Sequence, residues 1–265
     1  AAAYYAVRVI TDSTIPNNGG CFRPVTLSLP EGSLVCPLPP APVNARTGTT
    51  KRIANAMLSA LAQALPAESA AQPAGVTLVC RYMGVDGAGA RFVVGDHFVG
   101  GCGASDEADG VDVLATDIGN TYSLPVESIE MDAPVRVHVQ AIRPDSGGAG
   151  RHRGGNGLIR EFEVLSSEMQ FMHRGERHYV AAQGFAGGGD GAFERSTVIR
   201  GDGATEDIPS KAIVTLRRGD RVRIETPGGG GWGPPGERRP EEVADDIADG
   251  KITAETAQLI YGHGA

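Results

Sequence analysis

Apolar side chains recur at Ile53, Ala56, Met57, Leu58, Leu61 and Leu65. This three-and-four spacing predicts an amphipathic helix over 50–65, stopped by Pro66. Residues 1–11 carry a second helix-like apolar pattern. It has no initiator Met and no Ser, Thr or Asp cap before it, so the chain is expected to start in mid-structure. The turn-formers of 11–20 predict a loop, with Asn18-Gly19 suited to a turn of positive φ. Residues 25–30 alternate as a strand does. Prolines between 37 and 42 fix φ and remove donors, so that stretch is expected to be extended.

Beyond a small-residue linker at 67–75 the texture changes to short β-prone runs, most of them bounded by turn-formers. They fall at 76–80, 91–94, 135–141, 159–164, 169–173, 197–199, 212–216 and 221–226, a pattern of packed or layered sheets. Past 236 two helices are expected, over 240–248 and 253–261, with Thr253 capping the second. The predicted fold class is therefore α+β: a β-rich layered sheet domain with an N-terminal helical segment and a two-helix C-terminal tail. The expected organisation is 1–70 (loop, extended Pro-rich segment and helix), 71–235 (the β-rich domain with Gly turns) and 236–265 (the tail).

Composition narrows the function classes. The 265 residues have a formal charge of -8, and nucleic-acid binding needs clustered Lys and Arg to displace counterions, so no nucleic-acid partner is expected. No apolar run approaches the roughly 20 residues of a membrane span. The first residues do not follow the basic, apolar, small-residue order of a signal peptide, so none is expected there. Cys21, Cys36, Cys80 and Cys102 show no paired spacing and are expected as free buried thiols in a cytoplasmic protein. The 38 glycines point to many tight turns.

Several polar strings have no explanation in core packing. They are Pro16-Asn17-Asn18-Gly19-Gly20-Cys21-Phe22-Arg23-Pro24, Pro42-Val43-Asn44-Ala45-Arg46-Thr47, Arg143-Pro144-Asp145-Ser146-Gly147-Gly148-Ala149-Gly150-Arg151-His152-Arg153-Gly154-Gly155 and Thr226-Pro227-Gly228-Gly229-Gly230-Gly231-Trp232-Gly233. In this order they resemble the motifs of the hydantoinase B, 5-oxoprolinase and acetone/acetophenone carboxylase family, specifically its carboxy-terminal half.

The resemblance implies one component of an ATP-dependent hydrolase that opens a phosphate-activated lactam, hydantoin or 5-oxoproline-like ring. The implied partners are a hydantoinase A-type subunit, which holds ATP and Mg, and the N-terminal half of the B-type subunit, with room there for a divalent metal. Phosphorylation turns a resonance-stabilised amide into an electrophile that water attacks more easily. Glycine-turn amides are expected to donate to developing oxyanions. Two rivals are a component of an ATP-dependent ketone carboxylase and a scaffold with no catalytic group.

For binding the small-molecule substrate the candidates are Asn17, Asn18, Arg23, Asn44 and Arg46, whose amides and guanidinium groups can orient phosphate or carboxylate. Asn120, Thr121 and Glu127 join them from a partial match to a further family string, in which Asp117 replaces an expected Asn. Loop bracing is the competing role for all eight. No catalytic residue is assigned and no metal site is expected in this chain. His173 and His178 bracket an expected exposed hairpin tip, two ligands at most. Gly228 to Gly231 lacks the Gly-Lys-Ser/Thr ending of a phosphate loop and is expected as a compact turn under Trp232. His97 beside Asp96 is a weak acid/base pair, and Cys102 has no orienting base nearby in sequence.

Overall fold

The computed structural model describes residues 1–263. It has two compact units, Ala1–Ser69 and the remainder from Ala70 onward. In the first, α1 (Ala2–Ile10) turns the small face Ala2, Ala3, Ala6 and Ile10 inward. Small side chains let helices approach closely, and α1 packs on α3 (Arg46–Ala62), which buries Ala54 and Ala62. The four-residue α2 (Gly19–Phe22) lies between them in sequence and is capped by Asn18. Phe22 stacks on Tyr4 with ring centres 4.3 Å apart. Residues 25–30, expected as a strand, have no regular structure and are mostly exposed. Their alternation meets no partner strand, and a strand without a ladder leaves its amides unsatisfied.

The second unit holds β1 (Leu78–Val85), β2 (Arg91–Phe98), α4 (Val126–Asp132), β3 (Val135–Ile142), β4 (Leu158–Val164) and β5 (Glu168–Arg174). After these come β6 (Arg195–Ile199), β7 (Thr205–Asp207), β8 (Lys211–Arg217) and β9 (Arg221–Glu225). They form two antiparallel sheets, ordered β2-β1-β5-β8 and β3-β4-β9-β6-β7. Alternation decides the register: β4 buries Leu158, Arg160, Phe162 and Val164, and β5 buries Met169, Phe171 and His173. One core joins the two sheets through Tyr82, Phe162 and Phe171, whose ring centres lie 5.0 to 5.6 Å apart. Each such aromatic contact adds about 0.5–1.5 kcal/mol beyond burial. The layered α+β class read from the sequence is the class observed.

Two ions lie within this core. The Arg160 guanidinium sits 3.3 Å from the Asp96 carboxylate, over the Phe98 ring, and bonds Gln140. Asp96 also accepts the His97 amide at 2.8 Å, so this pair braces the core rather than serving as acid and base. The tail forms α5 (Pro240–Ala248), α6 (Ala254–Thr256) and a π turn over Ala257–Tyr261. Thr253 caps α6 by accepting the Thr256 amide. Val243, Ile252, Ala257 and Tyr261 cluster with Ala149 and Ile247, which docks the tail on the sheet unit. Among the described residues no helix is long and apolar enough to cross a membrane.

Candidate functional site

The glycine strings build a layer of bare backbone. Gly228 to Gly231 run without a turn, correcting the compact turn expected there. Lacking side chains, this segment admits backbone on several sides: the Gly229 amide donates to the Gly155 carbonyl, that of Gly230 to Gln72 and that of Gly231 to Gly189, all within 2.9 Å. In return Gly229 accepts the Gly148 amide and Gly230 accepts that of Ala104. A Cβ on Gly229 would overlap the Cys102 carbonyl. The amides of Gly229, Gly230 and Gly231 are engaged with backbone carbonyls, so these three are not free to be the oxyanion donors expected of the glycine turns. The residues of this layer therefore do not fit the phosphates of a nucleotide.

The long signature beginning at Arg143 is the frame of that layer. Arg143 donates to the carbonyls of Phe193 and Thr226 at 2.7 and 3.0 Å. Ser146 Oγ accepts the Gly157 amide, and Asn156 Oδ1 accepts that of Gly147. Asp145, at φ 57°, accepts the Thr253 amide and so pins the tail. Arg153 pairs with Asp112 and Asp246, and Arg238 with Asp109 and Asp246. Partial burial works against the Asp109 charge, but the hydrogen bonds and charge of Arg238, together with the amide and charge of Arg153, outweigh it and hold the carboxyl below its ordinary range.

Of the eight candidate binding residues, five fall in the first unit and three in the second. Asn18 spends its side-chain oxygen on the Gly20 amide and Asn44 on the Ala45 amide, each at 2.8 Å. Asn17, Arg23 and Arg46 are exposed in the first unit, with Arg46 opening α3. Asn120 and Thr121 lie in an irregular segment of the second unit, and Glu127 is exposed in the first turn of α4. Just before them Asp117 and Ile118 take φ values of 53° and 64°. Asp is among the few residues with a side chain that tolerate this left-handed conformation, which suits it to position 117. Cys80 is buried, and Cys21, Cys36 and Cys102 are partly exposed; all four are free. Burial pushes the Cys102 thiol up to about 11, which keeps it protonated and unreactive near neutrality.

A constellation of which the sequence shows only the pair His173 and His178 lies where the two sheets meet. His173, on the inward face of β5, faces Glu194 just before β6 and Ser196 within it. Its Nε2 is 3.1 Å from Glu194 Oε1 and 3.0 Å from Ser196 Oγ, and its Nδ1 is 3.2 Å from the Pro209 carbonyl. His178 follows in the loop after β5, with Nδ1 3.6 Å from Glu194 Oε2. The exposed hairpin expected for this pair is thus corrected: β5 pairs with β1 and β8, and His173 is 1% exposed. Gly175 permits the approach, since a Cβ there would strike the Glu194 carboxylate.

Desolvation dominates the charges of the cluster. It pushes Glu194 up to about 8 and His173 down to about 4, and it lowers His178 as well. Among the described residues these three side chains form one group able to share an ion, their ligand atoms within 4.8 Å of one another. His178 and Glu194 border a cavity of about 300 Å³ that Tyr179, Asp207 and Ile208 also line.

Comparison with known proteins agrees with the collinear strings. The Hydantoinase B/oxoprolinase family model matches residues 1–235, and the chain belongs to that family. It is 34% identical over 98% of its length to a protein described as the B-type component of a D-/L-hydantoinase from Pseudomonas sp. (strain NS671), covering 45% of that protein. With the beta component of the caprolactamase of Pseudomonas jessenii it shares 29% identity, covering 47% of that protein. The chain thus spans about half the length of these two relatives. The crystal structure of the ATP-dependent caprolactamase from Pseudomonas jessenii superposes over 100% of the chain and 48% of its own, at TM-score 0.89 and 28% identity. A nucleotide-free acetone carboxylase structure shares the fold over 74% of this chain and 30% of its own, at TM-score 0.59 and 22% identity.

Proposed function

We propose that this chain is the carboxy-terminal half of a B-type subunit in an ATP-dependent hydrolase that opens a lactam, hydantoin or 5-oxoproline-like ring. The observation that carries this reading is the superposition of the whole chain on an ATP-dependent caprolactamase, joined to 34% identity with the B-type component of a hydantoinase. Nucleotide chemistry falls to a hydantoinase A-type partner holding ATP and Mg. In support, the amides of Gly229, Gly230 and Gly231 are already bonded to backbone carbonyls. ATP supplies the phosphoryl group that makes the ring carbonyl electrophilic.

The part of this chain is positioning. The glycine layer, with no side chains to relax, is a rigid floor for the ring-opening site. The exposed polar groups Asn17, Arg23, Arg46, Asn120 and Glu127 are available to substrate or to neighbouring subunits, with Asn18, Asn44 and Thr121 shaping their loops.

The test combines the complete B-type subunit with its A-type partner and offers hydantoin, 5-oxoproline and caprolactam in turn, following ring opening and ADP together. Opening of at least one ring, only with ATP, is expected. Intact rings together with bicarbonate-dependent consumption of a ketone would replace this reading with the carboxylase one.

A further inference from the structure

We infer that His173, His178 and Glu194 form a binding site for one zinc-like divalent cation, with its fourth position open to the adjoining cavity. The first argument is tautomeric. Nδ1 of His173 is 3.2 Å from the Pro209 carbonyl, an oxygen that can only accept, so the ring proton resides there. Nε2 is left as a lone pair, and two oxygens face it: Ser196 Oγ, a hydroxyl able to donate, at 3.0 Å and Glu194 Oε1 at 3.1 Å. A lone pair and a carboxylate oxygen at that distance repel unless a proton or a metal lies between them. A metal-bound imidazole has this same arrangement, one nitrogen on the metal and the other donating to a carbonyl.

The second argument decides between proton and metal. A proton on Glu194 would satisfy Oε1 and the His173 nitrogen and nothing else. Beyond looser contacts with the Glu176 backbone, Glu194 Oε2 and both ring nitrogens of His178 are buried from solvent and make no hydrogen bond of ordinary geometry. The Glu194 side chain is 0% exposed and that of His178 8%. Leaving such groups unpaired costs about 1–3 kcal/mol each. A cation bound by Glu194, His173 and His178 engages the carboxylate and both rings at once.

Geometry and chemistry identify the cation. Ligands held at roughly 2.0–2.1 Å from a tetrahedral ion stand about 3.3 Å from one another. Here His173 Nε2 stands 3.1 Å from Glu194 Oε1 and His178 Nδ1 stands 3.6 Å from Oε2, and one ligand atom from each of the three residues lies within 4.8 Å of the others, so a small turn of the carboxylate and rings brings the set to that spacing. The rings of His173 and His178 are nearly perpendicular, at 81°, with centres 5.5 Å apart, so both can aim at one point without stacking. Two imidazoles and one carboxylate suit zinc and its first-row neighbours, whereas magnesium and calcium take oxygen ligands. The nearby Lys211 ammonium is occupied by the Gly175 carbonyl and Glu176, at 2.7 and 3.0 Å. With three protein ligands and a cavity of about 300 Å³ beside them, a water or an anionic small molecule completes the shell. This inference stands apart from the ring-opening reading, because metal content can be read whether or not any ring is opened.

The experiment uses the full-length protein, stripped with chelator and titrated with Co2+ as the optical probe and then with Zn2+, bound metal being counted by mass spectrometry. Glu194→Gln keeps the shape of the side chain and removes its charge. His178→Ala alters a loop residue, and circular dichroism checks the fold of both. Each variant is expected to hold one zinc fewer per chain than the parent, to bind zinc at this site about a hundred-fold or more weakly, and to lose the zinc-dependent rise in Tm. Equal zinc content in parent and both variants overturns the proposal and leaves a shared proton as the occupant. A parent that gains no four-coordinate Co2+ spectrum does the same.

Discussion

Gly229→Ala is expected to abolish stable folding of the sheet unit, at a cost above about 4 kcal/mol, the range reserved for gross steric or ionic faults in an interior. The added Cβ would overlap the Cys102 carbonyl. Relief by backbone movement is closed off, because Gly229 donates to Gly155 and accepts from Gly148 while Gly230 donates to Gln72 and accepts from Ala104. Any shift that clears one neighbour breaks bonds on the other side. Gly201→Ala is the control: nothing stands within 4 Å of its Cβ position, so the change should stay within about 0.5 kcal/mol. Urea unfolding of the full-length protein separates the two. A Gly229→Ala midpoint close to the parent's would mean that the layer yields, and its description as a rigid floor would be wrong.

Arg238→Ala carries the second large effect, a loss of about 3 kcal/mol, the low end for breaking a buried ion pair, because Asp246 is buried but keeps Arg153 and Asp109 is about a third exposed. Arg238 meets Asp109 and Asp246 at 2.7 Å each, with Arg238 4% and Asp246 3% exposed. Lysine should restore little, since a point charge cannot serve two carboxylates as the guanidinium fork does. Its neighbour Arg239 pairs with Glu242 in the open, its side chain 66% exposed, and alanine there should cost no more than about 1 kcal/mol. Hydrogen exchange provides the local readout: amides of α5 should lose protection in Arg238→Ala and keep it in Arg239→Ala. The pairing also sets an acid limit. Asp109 is held below its ordinary range, so its contribution is present above the unfolded value and is lost as pH falls through the folded one.

The strands were legible where alternation met a partner. Eight β-prone runs correspond to β1 through β6, β8 and β9, because each buries one face in a shared core. β7 escaped notice since Thr205, Glu206 and Asp207 are all exposed and leave no apolar trace. Among the seven residues of α4 only Ile129 is buried, too few for a helical period. Residues 25–30 failed in the opposite sense, showing alternation with no ladder to join.

Chemistry was harder to read than fold. The family strings are loud in the sequence, yet much of what they say is structural. Arg143, Ser146, Arg153 and the glycines hold backbone against backbone. The ion-competent cluster was half visible, as a His pair. Glu194 stands 21 residues from His173 and joins it only when β5 of one sheet meets β6 of the other. One signal was available: in the alternation Met169, Phe171, His173 a titratable ring occupies a core position, and a buried polar group there demands a partner.

The most direct test of the proposed activity follows ADP release and ring consumption in one vessel, with the A-type partner alone and then with the complete B-type subunit added. The expected result is ring opening only when both are present, in fixed proportion to the ADP released. Ring opening at an unchanged rate without the B-type partner would contradict it.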